Sequence, residues 1–235
     1  MIKIKDKNII GILGGMGPYA ALEFCKQILD ATPAKKDWEH IHTILDNNSK
    51  IPSRTRHILY GEEDPTPYII KSINKLAKSG AKKVFLPCNS VHYFYDKVVP
   101  HIDIPWVNLI EVVADEIKKS TAKNTLVLGA YTTVTKKTYD KYLDNLIYLD
   151  EQGNQLVFEI IEAVKINNTS LAQEKTQELL YYFKIYNFDS VILACTELTL
   201  IDSLVRNRNF MSFDSNNLYV QHLVKSTLKE EQKYE

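Results

Sequence analysis

The chain lacks most of the features that mark specialised classes of protein. Three cysteines among 235 residues do not make a disulfide scaffold, so the thiols are expected to stay free, as in a reducing cytoplasm. Charge of one sign is absent too, because 29 lysines and arginines balance 29 aspartates and glutamates. Such a chain has no field to draw in nucleic acid or an anionic membrane, and an anionic ligand must be held by local charges. No apolar run approaches the ~20 residues that cross a bilayer. Met1–Lys7 is polar, without the apolar core of a signal peptide, so a cytoplasmic protein is expected. His40, His42 and His101 have no cysteine or carboxylate at a metal-binding spacing, and no metal is expected. What remains, at 45% hydrophobic and 25% charged, is an ordinary globular composition long enough for one or two cores.

Short apolar runs alternate with helical periodicity along the whole chain. Strands are expected at 8–13, 40–46, 83–86, 125–128 and 190–193, with a short extended piece at 106–109. Helices are expected at 18–29, 67–79, 110–119, 133–143, 155–165, 170–186 and from about 216 to 230, and 47–64 reads as a loop. Pro18 near a first helical position and Gly80 after a last one fit these limits. The class is therefore α/β with mainly parallel sheets. The pattern also restarts. A shift of 107 residues lays Val84, Leu86 and Cys88 on Val191, Leu193 and Cys195, and Ile12-Leu13-Gly14 resembles Val127-Leu128-Gly129. Two similar lobes are expected, residues 1–105 with Cys88 and 106–212 with Cys195, followed by a C-terminal helix in 213–235 that packs back on the first lobe.

Cys88 and Cys195 each fall just past the C-terminal end of an expected strand, the edge where open α/β sheets bind ligands. Asn89-Ser90 and Thr196 follow them, small polar residues that can open a helix and leave backbone N–H groups for an anion. Facing lobes would set one thiol on each side of a shared cleft. That geometry suits racemisation, in which one base removes a Cα proton and an acid on the opposite face returns one. A thiol, with an ordinary pKa near ~8.5 that is readily shifted, serves either role. Each cysteine alone also reads as a buried structural residue. Cys25 is the comparison: it lies mid-helix among Leu22, Phe24 and Ile28 and reads as packing.

At these residues the sequence resembles the aspartate/glutamate racemase family, most closely its aspartate racemase branch. The matching segments are Gly11-Ile12-Leu13-Gly14-Gly15-Met16-Gly17-Pro18, Ile51-Pro52-Ser53-Arg54-Thr55, Pro87-Cys88-Asn89-Ser90-Val91-His92 and Ala194-Cys195-Thr196-Glu197-Leu198. Weaker matches are Gly61 to Pro65 and Thr133-Val134. The resemblance implies two α/β lobes with the active site between them, usually in a homodimer. It implies a small amino-acid substrate and neither pyridoxal phosphate nor metal, so no cofactor. It carries the two-base pair onto Cys88 and Cys195, α-carboxylate binding onto Asn89 and Ser90, and side-chain carboxylate binding onto Arg54 and Lys165. Met16, Thr133 and Thr196 join them as substrate-binding residues, with His92 and Glu197 in support. The chain departs from the family pattern at Ser53, at Ser90-Val91, at Ala194, and around Tyr131-Thr132 and Lys136-Lys137. These departures bear on which amino acid is used; glutamate or broad-specificity racemisation is the alternative.

Other readings stand beside this one. Gly15-Met16-Gly17-Pro18-Tyr19-Ala20 fits a loose dinucleotide fingerprint with Asp46 as its acidic partner, but a tight strand-to-helix turn needs glycine as well. His92 could merely orient its loop, and Glu197 could be an ordinary carboxylate at a helix start. The lysines of 71–83 read as a solvated helix face. A ligand-binding protein on a racemase-like scaffold is the reading from another class; retention of both cysteines favours an enzyme.

Overall fold

The computed structural model describes residues 8–232. They form two compact units. The first takes in the chain up to Pro87, Phe94–Leu109 and the chain from Tyr219; the second comprises Cys88–Tyr93 and Ile110–Leu218. The divisions fall at 109/110 and 218/219, beside the 105/106 and 212/213 read from the sequence, and Cys88–Tyr93, read as part of the first lobe, groups with the second unit.

The first unit holds strand β1 (Ile10–Gly14), helix α1 (Pro18–Ala31), β2 (Thr43–Asn47), α2 (Arg54–Tyr60), α3 (Thr66–Lys78), β3 (Lys83–Phe85) and α4 (Tyr95–Val98). Its sheet is parallel in the order β2-β1-β3, and a parallel bridge from Val84 to Trp106 adds a fourth extended segment beside β3. All five residues of β1 are buried, as expected of a parallel strand covered on both faces. Helix α3 turns Ile69, Ile73 and Leu76 inward and leaves Lys71, Lys75 and Lys78 exposed, the solvated lysine face read from the sequence. Tyr219 is fully buried beside Phe24 and Phe85, with ring centroids 5.6 and 4.9 Å away. Gly15 turns the chain after β1 at φ +90°, and a Cβ there would lie 2.1 Å from the Asn48 backbone. That close approach is a structural reason for glycine in the fingerprint-like segment.

The second unit begins with most of α5 (Leu109–Lys118), then β4 (Thr125–Gly129), α6 (Tyr131–Thr135), β5 (Leu146–Ile147), α7 (Glu151–Lys165), α8 (Thr169–Tyr182), β6 (Ser190–Ala194), α9 (Asp202–Arg206), β7 (Met211–Asp214) and the start of α10 (Ser215–Gln232). Its sheet is also parallel, in the order β5-β4-β6-β7. In both units the first strand is flanked by the second and third, with a fourth extended segment outside the third; this shared order supports the duplication read from the sequence. The core packs Leu126, Leu128, Val191 and Leu193 of the sheet with Val157, Ile160, Ile161 and Leu179 of α7 and α8.

Several expected elements are corrected. Residues 47–64 are not all loop: Ser53 caps α2, its hydroxyl accepting the Arg56 N–H at 3.3 Å, and Gly61 ends the helix in the left-handed conformation. The helix expected at 133–143 stops at Thr135, because Lys137 adopts φ +48° and turns follow. Strands β5 and β7 were not anticipated. The segments after both cysteines, Asn89–Phe94 and Thr196–Ile201, are 3-10 helical turns. No helix among the described residues is long and apolar enough to cross a membrane.

Candidate active site

Cys195 follows directly on β6, whose five residues are wholly buried. It is part-buried and a free thiol. Its Sγ donates to Glu197 Oε2 at 2.9 Å, and the Thr196 hydroxyl donates to the same oxygen at 3.0 Å. Burial raises the Cys195 pKa well above that of an ordinary thiol. The Glu197 charge and its bond to the thiol push the same way, against a smaller opposing pull from the Glu197 backbone N–H and Lys165. Cys195 is thus held as a thiol whose proton points at a carboxylate.

Lys165 ends α7, and its ammonium donates to Glu162 at 2.7 Å. Burial works against its charge, but Glu162, then Glu197 and Cys195, raise its pKa overall. It therefore lies within electrostatic reach of the Cys195 group and stays cationic.

Cys88 comes three residues after β3 and is also a part-buried free thiol. The turn that carries it is fastened by its neighbours, and those bonds lie within the second unit. Asn89 is buried; its Oδ1 accepts from Tyr139 Oη at 2.7 Å and its Nδ2 donates to Ser215 Oγ at 3.0 Å. Ser90 Oγ accepts from Thr132 Oγ1, at the start of α6, over 3.2 Å. The His92 ring lies 2.9 Å from the Cys88 carbonyl through Nδ1.

Two of the expected substrate-binding groups have buried polar atoms without a partner among the described residues, Thr133 Oγ1 and Arg54 Nε. A buried polar atom left unpaired costs ~1–3 kcal/mol. Arg54 belongs to the first unit, where it donates to the Met16 carbonyl and the Pro52 carbonyl, each at 3.0 Å. Met16 is itself buried, and its carbonyl rather than its thioether makes this contact. Cys25 is a part-buried free thiol in α1, and its pKa is raised by burial. Residue-by-residue reading did not single out Tyr139 or Ser215. They stand 50 and 126 residues from Asn89, and no local pattern announces such bonds.

Two parallel sheets with helices define an α/β protein, and a thiol bonded to a carboxylate lies at the end of β6. The family model for Asp/Glu/Hydantoin racemase matches residues 13–223, and the chain belongs to that family. The broad specificity amino-acid racemase of Bacillus subtilis (strain 168) is 28% identical over 201 residues, covering 82% of this chain and 87% of that protein. The aspartate racemase of Picrophilus torridus superposes with a TM-score of 0.82 at 29% identity, over 97% of this chain and 99% of the other. A glutamate racemase of Bacillus anthracis shares the fold, with a TM-score of 0.65 at 18% identity over 97% of this chain and 83% of its own.

Proposed function

We propose that the chain racemises an acidic amino acid, aspartate before glutamate, by two-base transfer of the Cα proton between Cys88 and Cys195. The thiolate of Cys88 takes the proton from Cα, and the electron pair left on carbon spreads into the α-carboxylate. The Cys195 thiol then gives its proton to the opposite face, leaving a Cys195 thiolate and a Cys88 thiol. The other enantiomer runs the same steps in reverse. Before the next turnover in the same direction the Cys88 thiol loses its proton to water and the Cys195 thiolate takes one from water, the Glu197 carboxylate holding the restored thiol. The Cys195–Glu197 bond is the observation that carries this reading, because it holds the acid protonated beside a carboxylate.

Lys165 and Arg54 are assigned to the side-chain carboxylate, and Thr133, Ser90 and Thr196 to polar contacts with the substrate. The Arg54 guanidinium suits a carboxylate because it is planar and held by two carbonyls, with Nε buried and unpaired. The printed name of the Bacillus subtilis relative favours a second reading, broad specificity on the same two thiols. The test is to incubate the protein with single enantiomers of aspartate, glutamate, asparagine and alanine, without pyridoxal phosphate, and to measure the opposite enantiomer. Conversion of aspartate fastest supports the first reading, comparable conversion of all four supports the second, and conversion of none rejects both.

A further inference from the structure

Racemisation by two fixed bases demands that both thiols keep their places against one carbon, since an error of about 1 Å costs on the order of a hundredfold in rate. The second unit contains a buried run of hydrogen bonds suited to that demand. Tyr139 Oη donates to Asn89 Oδ1 at 2.7 Å, Asn89 Nδ2 donates to Ser215 Oγ at 3.0 Å, and Ser215 Oγ donates to the Leu193 carbonyl at 2.8 Å. Tyr139 and Ser215 are fully buried and Asn89 is 4% exposed. Asn89 directly follows Cys88, and Leu193 lies on β6 two residues before Cys195. Two hydrogen bonds therefore connect the backbone beside one thiol to the strand that ends at the other.

We propose that Tyr139 and Ser215 are positioning residues for the reaction: through Asn89 they fix the Cys88 turn relative to the end of β6 that presents Cys195. The inference rests on the two-thiol reading above. It also gives the Asn89 amide a different task from the one the family resemblance implies. Its oxygen and one of its N–H groups are spent on the protein, which leaves it a smaller part in binding the α-carboxylate. Tyr139 suits the role chemically. Burial, the largest cause, raises its pKa well above that of an ordinary phenol, so it remains a neutral donor to Asn89. Ser215 both accepts and donates, as a link in such a run must.

The experiment compares Tyr139→Phe, Ser215→Ala and Asn89→Ala, singly and with Tyr139→Phe placed on Asn89→Ala, in the full chain. Phenylalanine for Tyr139 and alanine for Ser215 each remove only a hydroxyl, Asn89→Ala removes the whole amide, and thermal melting checks that each variant folds. Tyr139→Phe and Ser215→Ala should each lower kcat by about ten- to a hundredfold, with KM changed less than about threefold, because an unpaired buried partner lets the turn move. On the Asn89→Ala background Tyr139→Phe should cost little more, since the hydroxyl acts through that amide. A readout independent of racemisation is the rate at which iodoacetamide modifies each cysteine, followed by peptide mass spectrometry. Cys88 should react at least about threefold faster in Tyr139→Phe while Cys25 is unchanged, even if no amino acid proves to be a substrate. Unchanged kcat and unchanged Cys88 labelling in both single variants would overturn the proposal. So would losses that multiply fully in the double variant, or labelling that rises equally at all three cysteines as in a general loosening. Absence of racemisation in the wild type, with the Cys88 labelling change present, would count against the two-thiol reading while supporting the positioning role.

Discussion

The Cys195 thiol donates to the Glu197 carboxylate over 2.9 Å. Burial and the adjacent negative charge together hold the proton on sulfur above the ordinary thiol range. Glu197→Gln removes the charge while keeping a side chain of the same size. The Cys195 pKa should then fall, and iodoacetamide should modify Cys195 faster near neutral pH. Racemisation should drop by about a hundredfold or more, because the carboxylate that helps keep the acid protonated is gone. Labelling and activity as in the wild type would show that Glu197 is only a helix-start carboxylate.

Arg54 supplies the test of substrate class. A charge-assisted hydrogen bond contributes roughly 1.5–3 kcal/mol, or about ten- to a hundredfold in kcat/KM. Arg54→Ala should cost at least that much with aspartate and much less with alanine, if alanine is turned over. Its bonds to the Met16 and Pro52 carbonyls are the competing explanation for any loss. Equal losses on charged and neutral substrates would make Arg54 structural.

Alkaline pH should destabilise the fold. Burial raises the pKa values of the Cys195 thiol and the Tyr139 and Tyr219 phenols, the first cause in each case. In the unfolded chain these groups ionise near ~8.5 and ~10. Above those values the unfolded state binds fewer protons than the folded one, so stability falls as pH rises. Tm should hold below about pH 8 and decline between about pH 9 and 11. Tyr219, which accepts from the Leu86 N–H at 3.3 Å and donates to the Val107 carbonyl, accounts for part of this. Tyr219→Phe should lower stability at pH 7 by about 1–3 kcal/mol and make the alkaline decline shallower. A Tm that stays level through pH 11 would contradict the sign of these shifts.

Gly15 carries a prediction about the fold alone. Its φ of +90° and the 2.1 Å approach of Asn48 to an added Cβ leave no room for a side chain. Gly15→Ala should destabilise the chain by more than about 1 kcal/mol, because the strain adds to a clash with backbone. A melting temperature equal to that of the wild type would show that the turn can relax.

Strands β1, β4 and β6 were legible because burial on both faces writes them as unbroken apolar runs, Ile9–Leu13 and Val191–Ala194 among them. Cysteines after β3 and β6 were legible for the same reason, since a strand end is marked by the change from apolar to small polar residues. Helix α2 was hidden by its charge, yet Ser53 as its cap and Gly61 as its stop were both present in the sequence. Strand β5 has two residues and could not be seen by periodicity, and β7 shows only a four-residue alternation of part-buried and buried positions. The left-handed Lys137 that ends α6 has no residue-type signal, because lysine rarely adopts that conformation. Tyr139 and Ser215 were invisible for a different reason: their partner Asn89 is distant in sequence, and only the folded chain brings the three together.

Racemisation in deuterated water, carried out with single enantiomers of aspartate and with Cys88→Ala, Cys195→Ala and Cys25→Ala beside the wild type, tests the two-thiol chemistry most directly. Nuclear magnetic resonance follows deuterium at Cα, and chiral chromatography follows the opposite enantiomer. The wild type should place deuterium at Cα as it racemises, Cys25→Ala should do the same at nearly the same rate, and neither Cys88→Ala nor Cys195→Ala should form the opposite enantiomer. Full racemisation by Cys88→Ala or by Cys195→Ala would contradict proton transfer between these two thiols.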